Sequence, residues 1–260
     1  MPVTDRLYGL DFDTFEMLHP LPPLVDPNCG IDVPKWRPWR RLPPPPFKRE
    51  HVTSHVVHHD GQTIFISVDD KTGATFSFDT TASSPRWMRS GSWKLPFKGP
   101  AHYDGDLDGF FYQTLNLDAW VGLARDPDML GHLCSRDVPS TDDDNGCTQP
   151  PAWKLSKEKL FCEDLDEKHI GAALVCLGTG CRSKFCLVQC LSMDDRQEGV
   201  YKEYLPELER YLLRLTTFSL VYDKSGDLRT AALRRVRSFE LPKPVREYSA
   251  FLVDPVAFWM

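Results

Sequence analysis

The stretch VTSHVVHHDGQTIFISVDDKTGATFSFDT, residues 52–80, carries the fold in its spacing. Val52 to His58 is rich in β-branched residues and ends at His59-Asp60-Gly61-Gln62. The Asp-Gly pair tolerates the positive φ of a tight hairpin. Thr63 to Val68 then alternates, with Ile64, Ile66 and Val68 on one side and Thr63, Phe65 and Ser67 on the other. A second turn, Asp70-Lys71-Thr72-Gly73, leads into a third strand from Ala74 to Phe78. Three neighbouring strands joined by short turns form a meander, the core of one propeller blade.

The pattern returns further along. Phe218, Leu220 and Tyr222 alternate with Thr217, Ser219 and Val221, then Asp223-Lys224-Ser225-Gly226 turns the chain into a strand from Leu228. The two Asp-Lys-Thr/Ser-Gly turns begin 153 residues apart. That is about three blade periods of roughly 40 to 50 residues. An aromatic residue followed by Leu or Leu-Pro recurs at Trp39, Trp93, Trp153 and Phe239, and Phe-Asp-Thr recurs at Phe12 and Phe78. A small sheet cannot bury both faces alone, so repeated sheets stack, and an aromatic at a fixed place would fill the space between them. Chance recurrence in a proline-rich β protein is the competing explanation. The expected fold is all-β, a β-propeller-like array of four or five antiparallel blades whose ring need not close. It is read as a single domain over residues 1–260, with blade edges near 43, 97, 155, 200 and 242.

One segment departs from this grammar. Tyr201, Tyr204, Leu205, Leu208, Tyr211, Leu212 and Leu215 sit at helical spacing, with Pro206 near a first turn. A short helix or irregular linker is expected around Leu205–Arg210, giving way to strand by about Leu215.

Composition narrows the function classes. The 260 residues are 41% hydrophobic and 26% charged, enough apolar material for a sizeable core. A formal charge of −6 argues against general nucleic-acid binding, which needs a basic surface. No run approaches the roughly 18 to 20 apolar residues of a membrane span, and Met1 to Arg6 has no apolar signal region. A cytoplasmic or nuclear location is therefore expected. Cys176, Cys181, Cys186 and Cys190 lack the tight Cys-x-x-Cys knuckle of zinc sites. Two strands, Ala172–Leu177 and Lys184–Leu191, are expected around Gly178-Thr179-Gly180. Cys186, Val188 and Cys190 then share a buried face, with a metal or redox pair as the alternative.

Catalytic motifs are not apparent. There is no Gly-x-Ser-x-Gly elbow, no His-Glu-x-x-His and no phosphate loop ending in Lys-Ser/Thr. His55, His58 and His59 beside Asp60 could ligate a metal, but neighbours on a strand point to opposite faces, so turn and surface histidines are expected. Thr141 to Gly146 resembles part of a calcium loop whose distal Glu is replaced by Trp153. Accordingly no catalytic residue, metal or cofactor is assigned. The surface candidate is Trp36-Arg37-Pro38-Trp39-Arg40-Arg41, followed by Pro43 to Pro46. Trp36, Arg37, Trp39, Arg40 and Arg41 are the residue types of binding hot spots, and the prolines favour extended geometry. Read as a docking strip, they would meet a protein partner. Read as a blade edge, Trp39 would enter the core and the arginines would be solvated.

Several of these stretches together resemble a known group: Val56 to Ile64, Ala74 to Thr80, Trp93 to Phe97, Ala101-His102-Tyr103-Asp104, and Leu117 to Leu123. They are similar to uncharacterised plant proteins, common in grasses, of the kelch-like or F-box-associated β-propeller type. The resemblance spans about residues 5 to 255 and implies a propeller scaffold with a protein–protein role. No F-box-like helical segment precedes the repeats, and the double-Gly signature of regular kelch blades is missing. The expectation is a non-enzymatic interaction scaffold. An enzyme with its site in the propeller channel, or a truncated degenerate member without independent activity, are the alternatives.

Overall fold

Alternation of apolar and polar residues becomes strand throughout the computed structural model, which describes residues 2–3, 6–11, 14–18, 39–71, 73–104, 119–137, 152–161, 167–177, 184–193, 210–224, 227–231, 234–241 and 255. The chain is all-β. Among the described residues the helical content is two single 3-10 turns, Arg49–His51 and Pro127–Met129. The strands run in sequence-consecutive antiparallel groups and fall into two compact units, one reaching Leu95 and the other starting at Pro96.

Among the described residues the strands form three sheets, of four, eight and five strands, and the first unit holds the four-stranded sheet and a four-stranded meander. One is β1 (Pro2–Val3), β2 (Arg6–Leu10), β3 (Phe15–Leu18) and β4 (Arg40–Leu42), paired in that order. The other is the meander read from sequence: β5 (Val52–Val57), β6 (Thr63–Val68), β7 (Thr75–Asp79) and β8 (Trp87–Gly91). Tyr8, Phe15 and Met17 pack on Ile64, Ile66 and Phe78 in one core. Phe15 meets Phe78 edge-on at 5.0 Å, and Trp87 lies within 5.1 Å of Phe15, Phe47 and Phe78. Such offset aromatic pairs add about 0.5–1.5 kcal/mol each beyond area burial.

β6 is covered on both sides: Phe65 and Ser67, which alternate with Ile64, Ile66 and Val68, are buried as well. A hydroxyl relay makes this tolerable for Ser67. Leu95 N donates to Ser67 Oγ at 2.9 Å, and Thr75 Oγ1 donates to Trp93 O at 2.7 Å. The 2.7 Å contact between the two hydroxyls is therefore donated by Ser67. Every buried polar atom of the relay is satisfied, as burial requires.

The second unit repeats the arrangement. A meander of β9 (Phe97–Asp104), β10 (Ala119–Ala124), β11 (Leu133–Asp137) and β12 (Trp153–Leu155) packs on β13 (Glu167–Cys176), β14 (Lys184–Met193), β15 (Arg210–Tyr222) and β16 (Leu228–Thr230). A last strand, β17 (Arg235–Glu240), pairs with the first half of β15. Val121, Leu133, Leu174, Phe185, Leu187 and Phe218 form the shared core. Polar bonds cross it: His102 Nε2 donates to Leu174 O at 2.7 Å, and Tyr222 Oη donates to Ser135 Oγ at 2.8 Å.

Strand begins at Arg210, inside the expected limit of about Leu215: β14 pairs with β15 from Arg210 and β17 from Leu212, and the residues before Arg210 lie outside the described set. Two expectations need correction. The recurrent aromatics do not occupy equivalent places. Trp93 is buried, whereas Trp39, Trp153 and Phe239 are 42%, 45% and 49% exposed. His58 and His59 do not point to opposite faces. β5 ends at Val57, so alternation lapses, and their rings lie 4.0 Å apart. His58 is buried beside Asp60, with Nδ1 3.2 Å from Oδ2.

Candidate functional site

The edge strand β4 carries the sequence-predicted strip. Its register places Arg40 beside Met17, Arg41 beside Glu16 and Leu42 beside Phe15. Because β-strand side chains alternate, this register splits the strip between two faces. Arg40 and Leu42 share the side of Met17 and Phe15, which face the core. Arg41 shares the opposite side with Glu16 and Gly9, and Trp39, two residues earlier, joins them.

Trp39 packs over Gly9, where the missing side chain leaves the ring room. A Cβ at Gly9 would sit 3.2 Å from Cζ3 and 3.5 Å from Cη2 of the indole. The missing side chain thus makes a floor for a large ring that still keeps 42% of its surface exposed. Arg41 stands 3.6 Å from Glu16 with its side chain 80% exposed. Ion pairs this exposed contribute between zero and about 1 kcal/mol, so Glu16 holds Arg41 only loosely. Beyond β4, Pro43 is fixed by Trp87, whose Nε1 donates to Pro43 O at 3.1 Å, and Phe47 is buried in the aromatic core. Trp36 and Arg37 lie outside the described residues, as do Thr141 to Gly146 and Cys181.

A second polar assembly, in the other unit, was not read from sequence. Glu167 on β13 accepts two hydrogen bonds from the Arg214 guanidinium on β15, one of 2.6 Å from Nη1 and a second from Nη2. Both side chains are largely buried. Gln189, fully buried on the intervening strand β14 and opposite Arg214, approaches His169 Nε2 at 3.4 Å. A bulge between His169 and Gly171 turns the imidazole onto Phe161, ring against ring at 4.0 Å. Bulges re-aim side chains in this way. Burial pushes the His169 pKa down; the Glu167 charge opposes this, while Arg214 and Lys159 add to it. The only sequence signal was polar residues at alternate positions of otherwise apolar strands.

The cysteines on β14 behave as small hydrophobes. Cys186 and Cys190 are buried, and burial pushes both thiols up. Cys134, on β11, is pushed up to about 12 for the same reason. Among the described residues no group of three or more His, Cys, Asp or Glu converges as a metal site. Among the same residues no helix is long and apolar enough to cross a membrane.

Consecutive antiparallel meanders with an aromatic and cationic edge patch define an all-β protein class. More particularly, the family model described as Protein of unknown function (DUF1668) matches residues 3–238, and the chain belongs to that family. A search of the curated proteins and a search of the solved structures each found no match.

Proposed function

We propose that the protein is a non-enzymatic scaffold for protein–protein interaction, with Trp39 and Arg41 as the centre of its docking surface. The observation that carries this is the half-exposed indole laid on the Gly9 floor beside a loosely held arginine. Trp and Arg dominate binding hot spots because each offers a large contact area with directional donors. A pre-positioned ring loses little rotamer entropy on binding. Arg40, exposed on the other side of β4, and Trp36 and Arg37 belong to the same strip in sequence. The three antiparallel sheets, of four, eight and five strands, are read as blades of a kelch-like propeller, the eight-stranded one counted as two, in keeping with the resemblance to plant kelch-like and F-box-associated proteins. The reading takes the protein to be cytoplasmic or nuclear, without cofactor, and with a protein partner rather than nucleic acid or membrane.

The test is affinity purification from a native extract with the wild-type chain and the Trp39→Ala/Arg41→Glu variant in parallel. A partner recovered reproducibly by the first and lost by the second, with unchanged melting temperature, supports the reading. Equal recovery by both, or turnover of a small molecule in a metabolite panel, removes it.

A further inference from the structure

Among the described residues β17 is an edge strand, and it lacks cover. All six of its residues, Arg235 to Glu240, are exposed, so neither face is packed over. On one side it pairs with β15 from Leu212 to Thr217. The phase of that ladder is fixed by Leu241 N, which donates to Tyr211 O at 2.9 Å. In an antiparallel pair, residues alternate between bonding the neighbour and facing away. Odd-numbered residues of β17 therefore bond β15, and the backbone groups of Val236, Ser238 and Glu240 point outward.

The two faces differ. On the even face Glu240 pairs with Arg210 at 3.2 Å, and Ser238 Oγ accepts from Arg214 Nε at 3.3 Å. On the odd face stand Arg235, Arg237 and Phe239. Neither arginine has an ion-pair partner among the described residues, and Phe239 is 49% exposed. Leu213 and Leu215 of β15 continue the odd face inward, toward Val188 of β14.

We propose that β17 is a docking edge for an extended acidic segment of a protein partner, which adds as the next antiparallel strand. Outward N–H and C=O groups at alternate positions supply the ladder. Directly opposite cross-strand pairs interact, and opposite charges there are favourable. Reading the partner from its N-terminus, an apolar residue would face Phe239, and acids two and four positions later would face Arg237 and Arg235.

A second copy of this chain fits less well. Twofold antiparallel pairing with the outward groups in phase overlaps β17 most fully when centred on Arg237 or Ser238. Centring on Arg237 sets that residue directly opposite its own copy. Centring on Ser238 brings the two copies of Arg237 into diagonal contact. Like charges in both registers disfavour self-pairing. The proposal is independent of the Trp39 patch, which lies on another sheet.

The test uses the full chain and the fluorescein-labelled peptide Thr-Val-Thr-Glu-Thr-Glu-Thr, followed by fluorescence anisotropy. The lysine counterpart, Thr-Val-Thr-Lys-Thr-Lys-Thr, is the control. We expect the acidic peptide to bind at least tenfold more tightly, and Arg235→Glu/Arg237→Glu to reverse that preference. A reversal also shows that the variant is folded. Trp39→Ala should leave the peptide affinity unchanged, which separates this proposal from the previous one. No binding of the acidic peptide, equal binding of both peptides, or an unaltered preference in the double variant would overturn it. Sedimentation showing a dimer that the double variant abolishes would give the edge to a second copy, and would overturn it too.

Discussion

Gly122 shows how a single residue can set the spacing of a core. It lies in β10, where every residue is buried, and next to a register shift against β9. A Cβ there would meet Phe97 Cδ1 at 2.7 Å, Phe97 Cγ at 2.8 Å and Ala101 Cβ at 3.0 Å. Overpacking of this kind costs about 1–3 kcal/mol. Gly122→Ala should lower the urea midpoint accordingly, and an unchanged midpoint would mean that the Phe97 ring rotates away freely. Asp60 acts through hydrogen bonds instead. Its carboxylate accepts from Gln62 N at 2.7 Å, Thr63 N at 2.8 Å and Thr63 Oγ1 at 2.6 Å. Partial burial raises its pKa, but the bonds from Thr63 and Gln62, with His58 nearby, outweigh it and bring the pKa to about 2. Asp60→Ala should cost about 1 kcal/mol, the net worth of a hydrogen bond or two near the surface. Chemical denaturation measures it, and a change near zero would show that Gly61, at φ 65°, closes the hairpin without help.

Among the elements, β13, β14 and β15 depend on one another through Glu167 and Arg214, which meet across the intervening strand. Removing one partner of a largely buried pair leaves the other charge uncompensated and costs roughly 3–5 kcal/mol. Arg214→Met and Glu167→Gln should each destabilise strongly, and the double variant by clearly less than their sum. Additive losses in a double-mutant cycle would show that the pair contributes no coupling. This coupling was not legible in the sequence, because the partners lie 47 residues apart. What was legible had local causes. The β5–β6 hairpin and the β13–β14 pair follow from alternation plus a turn, both contained in about twenty residues. Asp70 and Asp223 do similar work, each accepting a backbone N–H from the far side of its turn, at 3.0 Å in both. By contrast, β15 was obscured at its start because Tyr211, Leu212 and Leu215 also satisfy helical spacing, and only pairing on both edges decides between the two. Trp39 was recognised as a surface candidate, but its face and its seat were not, since the floor is Gly9, two strands away. β17 went unread because its arginines interrupt the apolar alternation, the very feature that makes its edge distinctive.

For the molecule as a whole, the buried titratable groups predict a stability maximum near neutral pH. Burial pushes His102 below its ordinary value, partly offset by its bond to Leu174 O, and His169 is lowered as well. A lowered histidine is neutral in the fold, whereas the unfolded chain takes up a proton near pH 6.5. The unfolded state then binds more protons, so stability rises with pH in that window and is lost as pH falls through about 6.5. Asp60 has the same sign lower down: its contribution is complete above its ordinary 3.8 and disappears as pH falls toward about 2. The thiols run the other way. Cys134, Cys186 and Cys190 are raised by burial, so their contribution is intact below the ordinary value of 9.0 and is lost as pH rises beyond it. Melting temperature measured from pH 4 to pH 10 should therefore plateau between about 6.5 and 9 and fall on both sides. His102→Gln with His169→Gln should lower the plateau but flatten the first acid step, because neither side chain then titrates. An acid step of unchanged size in that double variant would place its origin in other groups, and would separate the packing of these two rings from the pH response of the fold.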